Sequence, residues 1–151
     1  MNEIEAIKKL KASYFRNLDT KNWEGFRTVF TSDFVSDTRA SGGKVIHGAD
    51  DFVSFVKHTL ASATTVHHGH MPEIELISDD SARGVWAMED LVRFVGCIDL
   101  RGYGHYHEEY KKTEGQWQIS YSKLTRLRLD LRLLFIPIKI PQFVLRKMAD
   151  Q

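Results

Sequence analysis

The feature that most constrains the fold is a change in the spacing of apolar residues after Thr64. Before that point apolar side chains recur every three or four residues, as on one face of a helix. After it they alternate, as in strands. Three helices are predicted, at 2–18, 23–30 and 50–60. Four long strands are predicted, at 65–77, 82–95, 101–112 and 116–128, with turns at 78–80, near Gly96 and at 114–115. This order indicates an α+β domain in which a strongly curved sheet surrounds the helices.

Two shorter segments complete the prediction between the second and third helices. Residues 33–39 have the pattern of a strand, and a tight turn at 41–43 leads into residues 44–46. With the long strands, they predict a cone-shaped, mixed or antiparallel sheet with the helices against its inner face and one mouth. Such a shape leaves room for a ligand pocket between the helices and the sheet.

The length and hydropathy of the chain indicate one soluble domain. The sequence has 151 residues, of which 42% are hydrophobic and 27% charged. We expect a single domain over 1–151, with a core at about 3–128 and a C-terminal segment, 129–151, that covers the pocket or an interface. Residues 131–145 are apolar, but they are too few to span a bilayer and are interrupted by charges and prolines. They are predicted to pack on the domain or on a partner subunit.

Charge and cysteine content exclude several other classes of protein. The chain has 21 Lys and Arg against 20 Asp and Glu, without the excess of cations that nucleic-acid binding requires. Its one cysteine, Cys97, cannot form an internal disulfide and suits a reducing compartment. The N-terminus lacks the apolar core of a secretory signal. We therefore expect a cytoplasmic protein with no nucleic-acid or membrane partner.

A carboxylate interrupts the apolar face of the second long strand. The even positions from 84 to 94 are apolar or glycine except for Asp90, which shares its face with Trp86 and Phe94. Because an unpaired buried carboxylate is costly, Asp90 should be paired, protonated or at a pocket wall. It is either half of a structural pair with an arginine or a pocket acid that orients a catalytic group.

Histidines are dense on two strands. Of the seven in the chain, His67, His68 and His70 lie on one predicted strand, and His105 and His107 lie on another. A His-x-His pair on a strand puts both rings on one face, so a metal site has to be considered. No paired cysteines or HExxH motif accompany them, and we predict no bound metal. A general base is favoured, because the ordinary pKa of histidine, about 6.5, lies near working pH.

Three other polar residues have both a structural and a functional interpretation. Tyr14, on the apolar face of the first helix, is a core aromatic or a hydrogen-bond donor in a pocket. Asp19, at the end of that helix, is a capping residue of the following turn or a partner of a catalytic group. Arg126, late in the last long strand, is a solvated residue beside Lys123 and Arg128 or part of a site. Taken one at a time, the structural interpretations are favoured for Tyr14 and Asp19.

Four separated blocks then carry a family resemblance. They are IEAIKKLKASYFRNLDTKNWEGFRTVF, VHHGHMPEIEL, ARGVWAMEDLVRF and GQWQISYSKLTRLRL, and together they cover most of residues 3–128. In order and spacing they resemble the SnoaL-like group of the nuclear-transport-factor-2-like superfamily. The nearest similarity is to bile acid 7α-dehydratases, with scytalone dehydratase and hexachlorocyclohexane dehydrochlorinase more distant. The resemblance implies a cone-shaped α+β barrel and a homo-oligomer, with a trimer favoured and a dimer next.

The resemblance also implies catalytic roles. The tyrosine of KASYFR corresponds to Tyr14, and the aspartate five residues later to Asp19. The histidine that opens HHGHMPEI corresponds to His67. The aspartate of WAMED corresponds to Asp90, and the arginine after WQI to Arg126.

The first long strand, 65–77, presents a conflict of register. The resemblance also assigns His70 as a second site histidine. Strict alternation puts His68 and His70 on the face of Ile74, with His67 opposite. A bulge at Gly69 or a break before Pro72 would bring His67 into the pocket instead.

Together these inferences predict a cofactor-independent lyase or isomerase. The expected reaction is dehydration of a hydrophobic, carbonyl-bearing small molecule, steroid-like or polyketide-like, by His and Asp acid–base catalysis. Five further residues are expected to contact substrate: His70, Trp86, Phe55, Phe94 and Tyr106. The alternative is a non-catalytic small-molecule-binding protein on the same fold. A third interpretation is an interaction domain that uses residues 131–145.

Overall fold

The helices lie in the first half of the chain and the long strands in the second, as predicted. The structure, a computed structural model, describes residues 2–94, 98–133 and 136–139. The helices are α1 (Glu3–Asp19), α2 (Trp23–Thr28) and α3 (Ala49–Leu60). The strands are β1 (Phe30–Asp37), β2 (Val45–His47), β3 (Thr64–Leu76), β4 (Ser81–Phe94), β5 (Ile98–Thr113), β6 (Gln116–Leu133) and β7 (Ile136–Lys139). The α+β class is confirmed.

The strands form one mixed sheet. Its order is β2-β1-β6-β5-β4-β3, with β7 paired to β6. From β3 to β6 the sheet is the predicted antiparallel meander, whereas β1 pairs with β6 in parallel. Over residues 2–94, 98–133 and 136–139 the sheet is curled but not closed into a barrel, because β2 and β3 end it on either side.

Helix α1 lies across the inner face of the sheet. Asn2 caps its N-terminus, because the Asn2 side chain accepts a hydrogen bond from the backbone N–H of Ile4. Its buried side chains recur every three or four residues and face the strands, at Ile7, Lys11, Tyr14 and Leu18. Aromatic rings fill most of the core beside it, among them Phe26, Phe30, Phe34, Phe52, Tyr110 and Trp117.

Helix α1 ends while the inner face of the sheet continues. Strand register aligns Asp90, Gly102 and Leu129 across β4, β5 and β6, and aligns Val92 with Leu100 one step further. Directly opposed residues point to the same face. The inner face past Asp19 is therefore apolar and only partly covered, with side chains from Val92, Phe94, Leu100, Leu129 and Leu131. We call these five residues the apolar floor.

Some predictions fall wholly or partly outside the described residues. The turn near Gly96 and the cysteine Cys97 do, as does most of the segment 131–145. In the described part of the chain, no helix combines the length and apolar character needed to cross a bilayer.

Candidate active site

A break in β3 decides which histidine faces inward. His67 pairs with Asp90 across β3 and β4 and is buried, while His68 and His70 are exposed on the other face. The register shifts between His70 and Glu73, where Met71 has φ of 40°. Of the two predicted positions for an irregularity, the structure has the break before Pro72 and none at Gly69. Proline cannot donate to the ladder, so a shift there disturbs the pairing least.

Asp19 holds the imidazole of His67 from the end of α1. Its Oδ1 lies 2.7 Å from His67 Nδ1, and its Oδ2 accepts a hydrogen bond of 2.9 Å from the His67 backbone N–H. Thr65 Oγ1 donates to Oδ1 at 2.9 Å. Asp19 therefore does not cap the following turn, and it fixes both the backbone and the ring of His67.

The same contacts determine the charge of Asp19 and the tautomer of His67. Partial burial acts to raise the pKa of Asp19, but the hydrogen bonds from the ring and backbone of His67 outweigh it, so the pKa lies below its ordinary value. An ionised Asp19 can only accept, so His67 Nδ1 carries the proton. In the neutral ring, Nε2 then has a free lone pair.

Asp90 lies on the other side of the His67 ring and is itself paired. Arg126 Nη2 is 2.8 Å from Asp90 Oδ2, and Tyr106 Oη donates to Oδ1 at 3.5 Å. His67 Nε2 is 3.8 Å from Asp90 Oδ1, too far for a hydrogen bond. Both interpretations of Asp90 thus find support: it pairs with an arginine and it faces the histidine. We call Asp19, His67, Asp90 and Arg126 the histidine cluster.

Two local features turn Arg126 inward. A register shift between Tyr103 and Gly104 leaves Leu127 as an extra residue in β6, so Arg126 faces the interior instead of forming a solvated edge with its neighbours. Its side chain crosses Gly102, where an added Cβ would lie 2.0 Å from Arg126 Nη1. The absence of a side chain at residue 102 provides the space for the guanidinium.

Tyr14 is buried beside the histidine cluster and packs edge-on against Phe15, Phe26 and Tyr106. Burial raises the pKa of its hydroxyl above the ordinary value, and the negative charges of Glu108 and Asp90 act in the same direction. The hydroxyl therefore stays protonated and can donate a hydrogen bond.

The residues predicted to bind substrate divide into two groups. Trp86 and Tyr106 are buried on the inner face, and Phe94 belongs to the apolar floor. Phe55 is 43% exposed on α3 beneath Lys44, and His70 is exposed on the outer face of β3. The structure does not bring Phe55 or His70 to the histidine cluster, because both point away from the inner face.

A second polar group, of which the sequence analysis named Trp86 alone, lies deeper under α1. Lys11 Nζ is 2.6 Å from Glu108 Oε1, and both side chains are fully buried. Tyr110 Oη donates to Glu108 Oε2 at 2.7 Å and accepts from Trp86 Nε1 at 2.8 Å. We call Lys11, Glu108, Tyr110 and Trp86 the lysine cluster.

The lysine cluster adjoins the histidine cluster through two tyrosines. Lys11 Nζ lies 4.1 Å from the ring centroid of Tyr14 and 3.9 Å from that of Tyr106. A sequence signal for the cluster existed. Lys11 interrupts the apolar face of α1, and Glu108 alternates with Tyr106 and Tyr110, the same pattern that singled out Asp90.

Comparison with known proteins identifies the family of this chain. A family model described as the SnoaL-like domain matches residues 1–123. The chain belongs to the SnoaL-like family. A probable cyclase of Gibberella zeae is 26% identical to this SnoaL-like chain over 133 residues, which are 80% of the chain and 89% of the relative.

Solved structures show the same fold. One, from Novosphingobium aromaticivorans and provisionally named a scytalone dehydratase, has a TM-score of 0.78 and 21% identity, covering 84% of this chain and 85% of its own. The hexachlorocyclohexane dehydrochlorinase LinA-type3 from Novosphingobium barchaimii has a TM-score of 0.77 and 18% identity, covering 92% and 95%. At such identities they establish the fold alone. The nearer similarity to bile acid 7α-dehydratases stays a prediction.

Proposed function

We propose that this SnoaL-like protein is an enzyme that eliminates water from a hydrophobic, carbonyl-bearing small molecule, with His67 as the general base. The observation that carries the proposal is the state of the His67 ring. Its Nδ1 is bound by Asp19 at 2.7 Å, while its Nε2 has no hydrogen-bond partner among the described residues. A buried imidazole held in one tautomer, with a free lone pair, is the arrangement that proton abstraction needs.

The reaction begins at a carbon next to the carbonyl. The proton passes from that carbon to His67 Nε2, and the electron pair of the C–H bond moves into the carbonyl as an enolate. Asp19 stabilises the imidazolium that forms. The enolate then expels a β-hydroxyl group, which takes up the proton that His67 removed and leaves as water, so the imidazole is neutral again. A positioned base of this kind contributes about 10²–10⁴-fold.

Neighbouring polar residues supply the remaining stabilisation. The Tyr14 hydroxyl stays protonated and donates a hydrogen bond to the developing enolate oxygen or to the departing oxygen. The pair of Asp90 and Arg126, joined at 2.8 Å, orients the substrate or assists protonation of the leaving group. These steps use only side chains of the chain itself and require no cofactor.

The apolar floor favours a ring system as substrate. It adjoins Asp90 on the inner face and extends past the end of α1, so a hydrophobic body lying on it would put its polar end against the histidine cluster. Exclusion of water by such a body also strengthens the electrostatic contacts of the cluster. The names of two similar structures, a dehydratase and a dehydrochlorinase, both denote eliminations and agree with this class of reaction.

The proposal is tested by screening β-hydroxy ketones with steroid-like and aromatic bodies. We expect His67→Gln to lower kcat/KM by about 10²–10⁴-fold, because it removes the base while keeping a polar side chain of similar size. His105→Gln, on the outer face of β5, is the matched control and should retain the wild-type rate. Turnover by His67→Gln at the wild-type rate would refute the assignment. Saturable binding without turnover would favour the alternative, a ligand-binding protein.

Other expectations stay predictions. They are the single domain over 1–151, the cytoplasmic location and the homotrimer. Light scattering of the purified chain measures the subunit count, and a monomer would contradict the assembly.

A further inference from the structure

We propose that His68, His70 and Glu89 form a binding site for a divalent transition-metal ion of the Zn²⁺ class, on the outer face of the sheet. The three side chains lie on β3 and β4, directly behind the pair of His67 and Asp90. One ligand atom from each lies within 4.8 Å of the others. The site is separate from the histidine cluster, because successive residues of a strand point to opposite faces.

The strand pairing builds this arrangement. His68 and His70 are two residues apart on β3, and their ring centroids are 5.8 Å apart. His68 is directly opposite Glu89 in the β3–β4 register, which brings the carboxylate beside the rings. Two residues fixed on one strand and a third on its neighbour need no loop to assemble the site.

The distances are within reach of one ion. Zn²⁺ binds imidazole nitrogen and carboxylate oxygen at about 2.0–2.2 Å, so two ligands of one tetrahedral ion lie about 3.4 Å apart. The three ligand atoms lie within 4.8 Å of one another, so rotation of the side chains must bring them closer by about 1.4 Å at most. Both histidines are exposed and can rotate. Within the described residues, none of the three side chains has a hydrogen bond or ion pair that would have to break.

The donor set selects the kind of ion. Two imidazoles with one carboxylate suit Zn²⁺, Cu²⁺, Ni²⁺ and Co²⁺, whereas Ca²⁺ and Mg²⁺ require oxygen ligands. Three protein ligands leave a fourth position of a tetrahedral ion for water.

Binding should stabilise an exposed edge of the sheet. Among the described residues, strand β3 ends the sheet and pairs only with β4. An ion held by His68 and His70 on one strand and Glu89 on the other would join the two strands. A ligand that binds the folded chain alone raises its stability, so Zn²⁺ should raise the melting temperature.

The chain contains a natural control for this site. His105 and His107 on β5 have the same spacing on the same face, with ring centroids 6.2 Å apart. Their cross-strand partners on β4 are Ala87 and Val85, which offer no ligand. The ring of His107 is already bonded to Thr125 at 3.2 Å. The two histidine pairs therefore have the same spacing, and they differ because only the pair His68 and His70 has a carboxylate, Glu89, beside it.

Titration calorimetry of the full chain with Zn²⁺ tests the proposal, with Co²⁺ absorbance as a second readout of coordination. We expect one ion per chain and a rise in melting temperature. The double variant His68→Ala/His70→Ala should lose the site, and Glu89→Gln should weaken binding by about tenfold or more. The double variant His105→Ala/His107→Ala should bind as the wild type does.

Three results would overturn the proposal. They are the absence of a saturable Zn²⁺ site in the wild type, unchanged binding in His68→Ala/His70→Ala, and loss of binding in His105→Ala/His107→Ala. All the altered side chains lie on the outer face, so circular dichroism without metal should show an intact fold for each variant. If one double variant fails to fold, Glu89→Gln decides, because an unchanged affinity in that variant also contradicts the site.

Discussion

The histidine cluster and the lysine cluster lie side by side on the inner face of the sheet and use similar residues in opposite ways. Each contains a carboxylate paired with a cation, Asp90 with Arg126 in one and Glu108 with Lys11 in the other. In the lysine cluster the charged pair is fully buried and Glu108 also accepts from Tyr110. In the histidine cluster one ring nitrogen has no hydrogen bond within the described residues.

This difference shows that burial of charge does not by itself mark a reactive site. Burial lowers the pKa of Lys11, and the neighbouring Glu108 acts in the opposite direction. The Lys11–Glu108 pair is enclosed, and the rings of Tyr14 and Tyr106 pack against the ammonium group. The charged atoms of this pair are therefore not accessible to a substrate. The proposed active site differs in that His67 Nε2 is free to accept a proton and lies next to a partly covered apolar surface.

The largest expected effect is on the lysine cluster. Lys11→Met leaves Glu108 buried without its cation, and we expect the free energy of unfolding to fall by about 3–5 kcal/mol. Urea denaturation measures the change. The double variant Lys11→Met/Glu108→Gln removes the charge but keeps an acceptor for Tyr110, so it should recover much of the loss. Equal instability of the single and double variants would show that the two residues are not coupled.

A smaller effect, on activity, should follow from Tyr14→Phe. The variant keeps the ring that packs against Lys11 and Tyr106 but removes the proposed donor to the enolate. Loss of one such donor lowers kcat by about 10²–10³-fold. The test is a kcat measurement on a substrate found in the ketone screen, with urea denaturation beside it. A stability loss as large as that of Lys11→Met would instead assign Tyr14 to the structural cluster.

A tenfold effect is expected from Gly102→Ala. The added methyl group would occupy the position of the Arg126 guanidinium, which must move and release Asp90. Because the displaced atoms are the end of a flexible side chain, stability should change little, while kcat/KM should fall by about tenfold. Arg126→Lys is the companion variant, since it removes the same contact directly. Wild-type activity in both variants would remove the Asp90–Arg126 pair from the mechanism.

Much of this architecture could be predicted from periodicity. The change from helical to alternating spacing after Thr64 places most element boundaries within a few residues of those observed. Alternation along β4 predicted that the side chain of Asp90 points inward. The parallel pairing of β1 with β6 could not be obtained this way, because it joins residues far apart in sequence.

The sequence predicted which residues form the site better than it predicted how they are arranged. Family resemblance selected His67 over His68, but the break that turns it inward depends on a backbone conformation at Met71 that alternation does not encode. Phe55 has helical spacing typical of a core residue and is nevertheless exposed on α3. The burial of Lys11 could not be predicted, because lysine on a helix is ordinarily solvated and only its partner Glu108 on β5 explains it.

The smallest expected effect is the contribution of Asp19 to the pH dependence of the free energy of unfolding. Its pKa is below the ordinary value in the folded chain, so its contribution to stability is present above that ordinary value and is lost as the pH falls through the folded pKa. Asp19→Asn lacks this contribution. Wild type and variant should therefore differ most above about pH 5 and converge as the pH falls past the ordinary value of 3.8 and through the lower folded pKa.

Urea denaturation across this range measures the convergence, with Asp79→Asn, in the exposed turn before β4, as the control that should follow the wild type. If the difference between wild type and Asp19→Asn stayed constant with pH, the hydrogen bonds to His67 would not be what lowers the Asp19 pKa. The proposed base would then lack the ionised partner that stabilises its charged form. The histidine cluster would resemble the lysine cluster, as a structural group with no bias toward proton transfer.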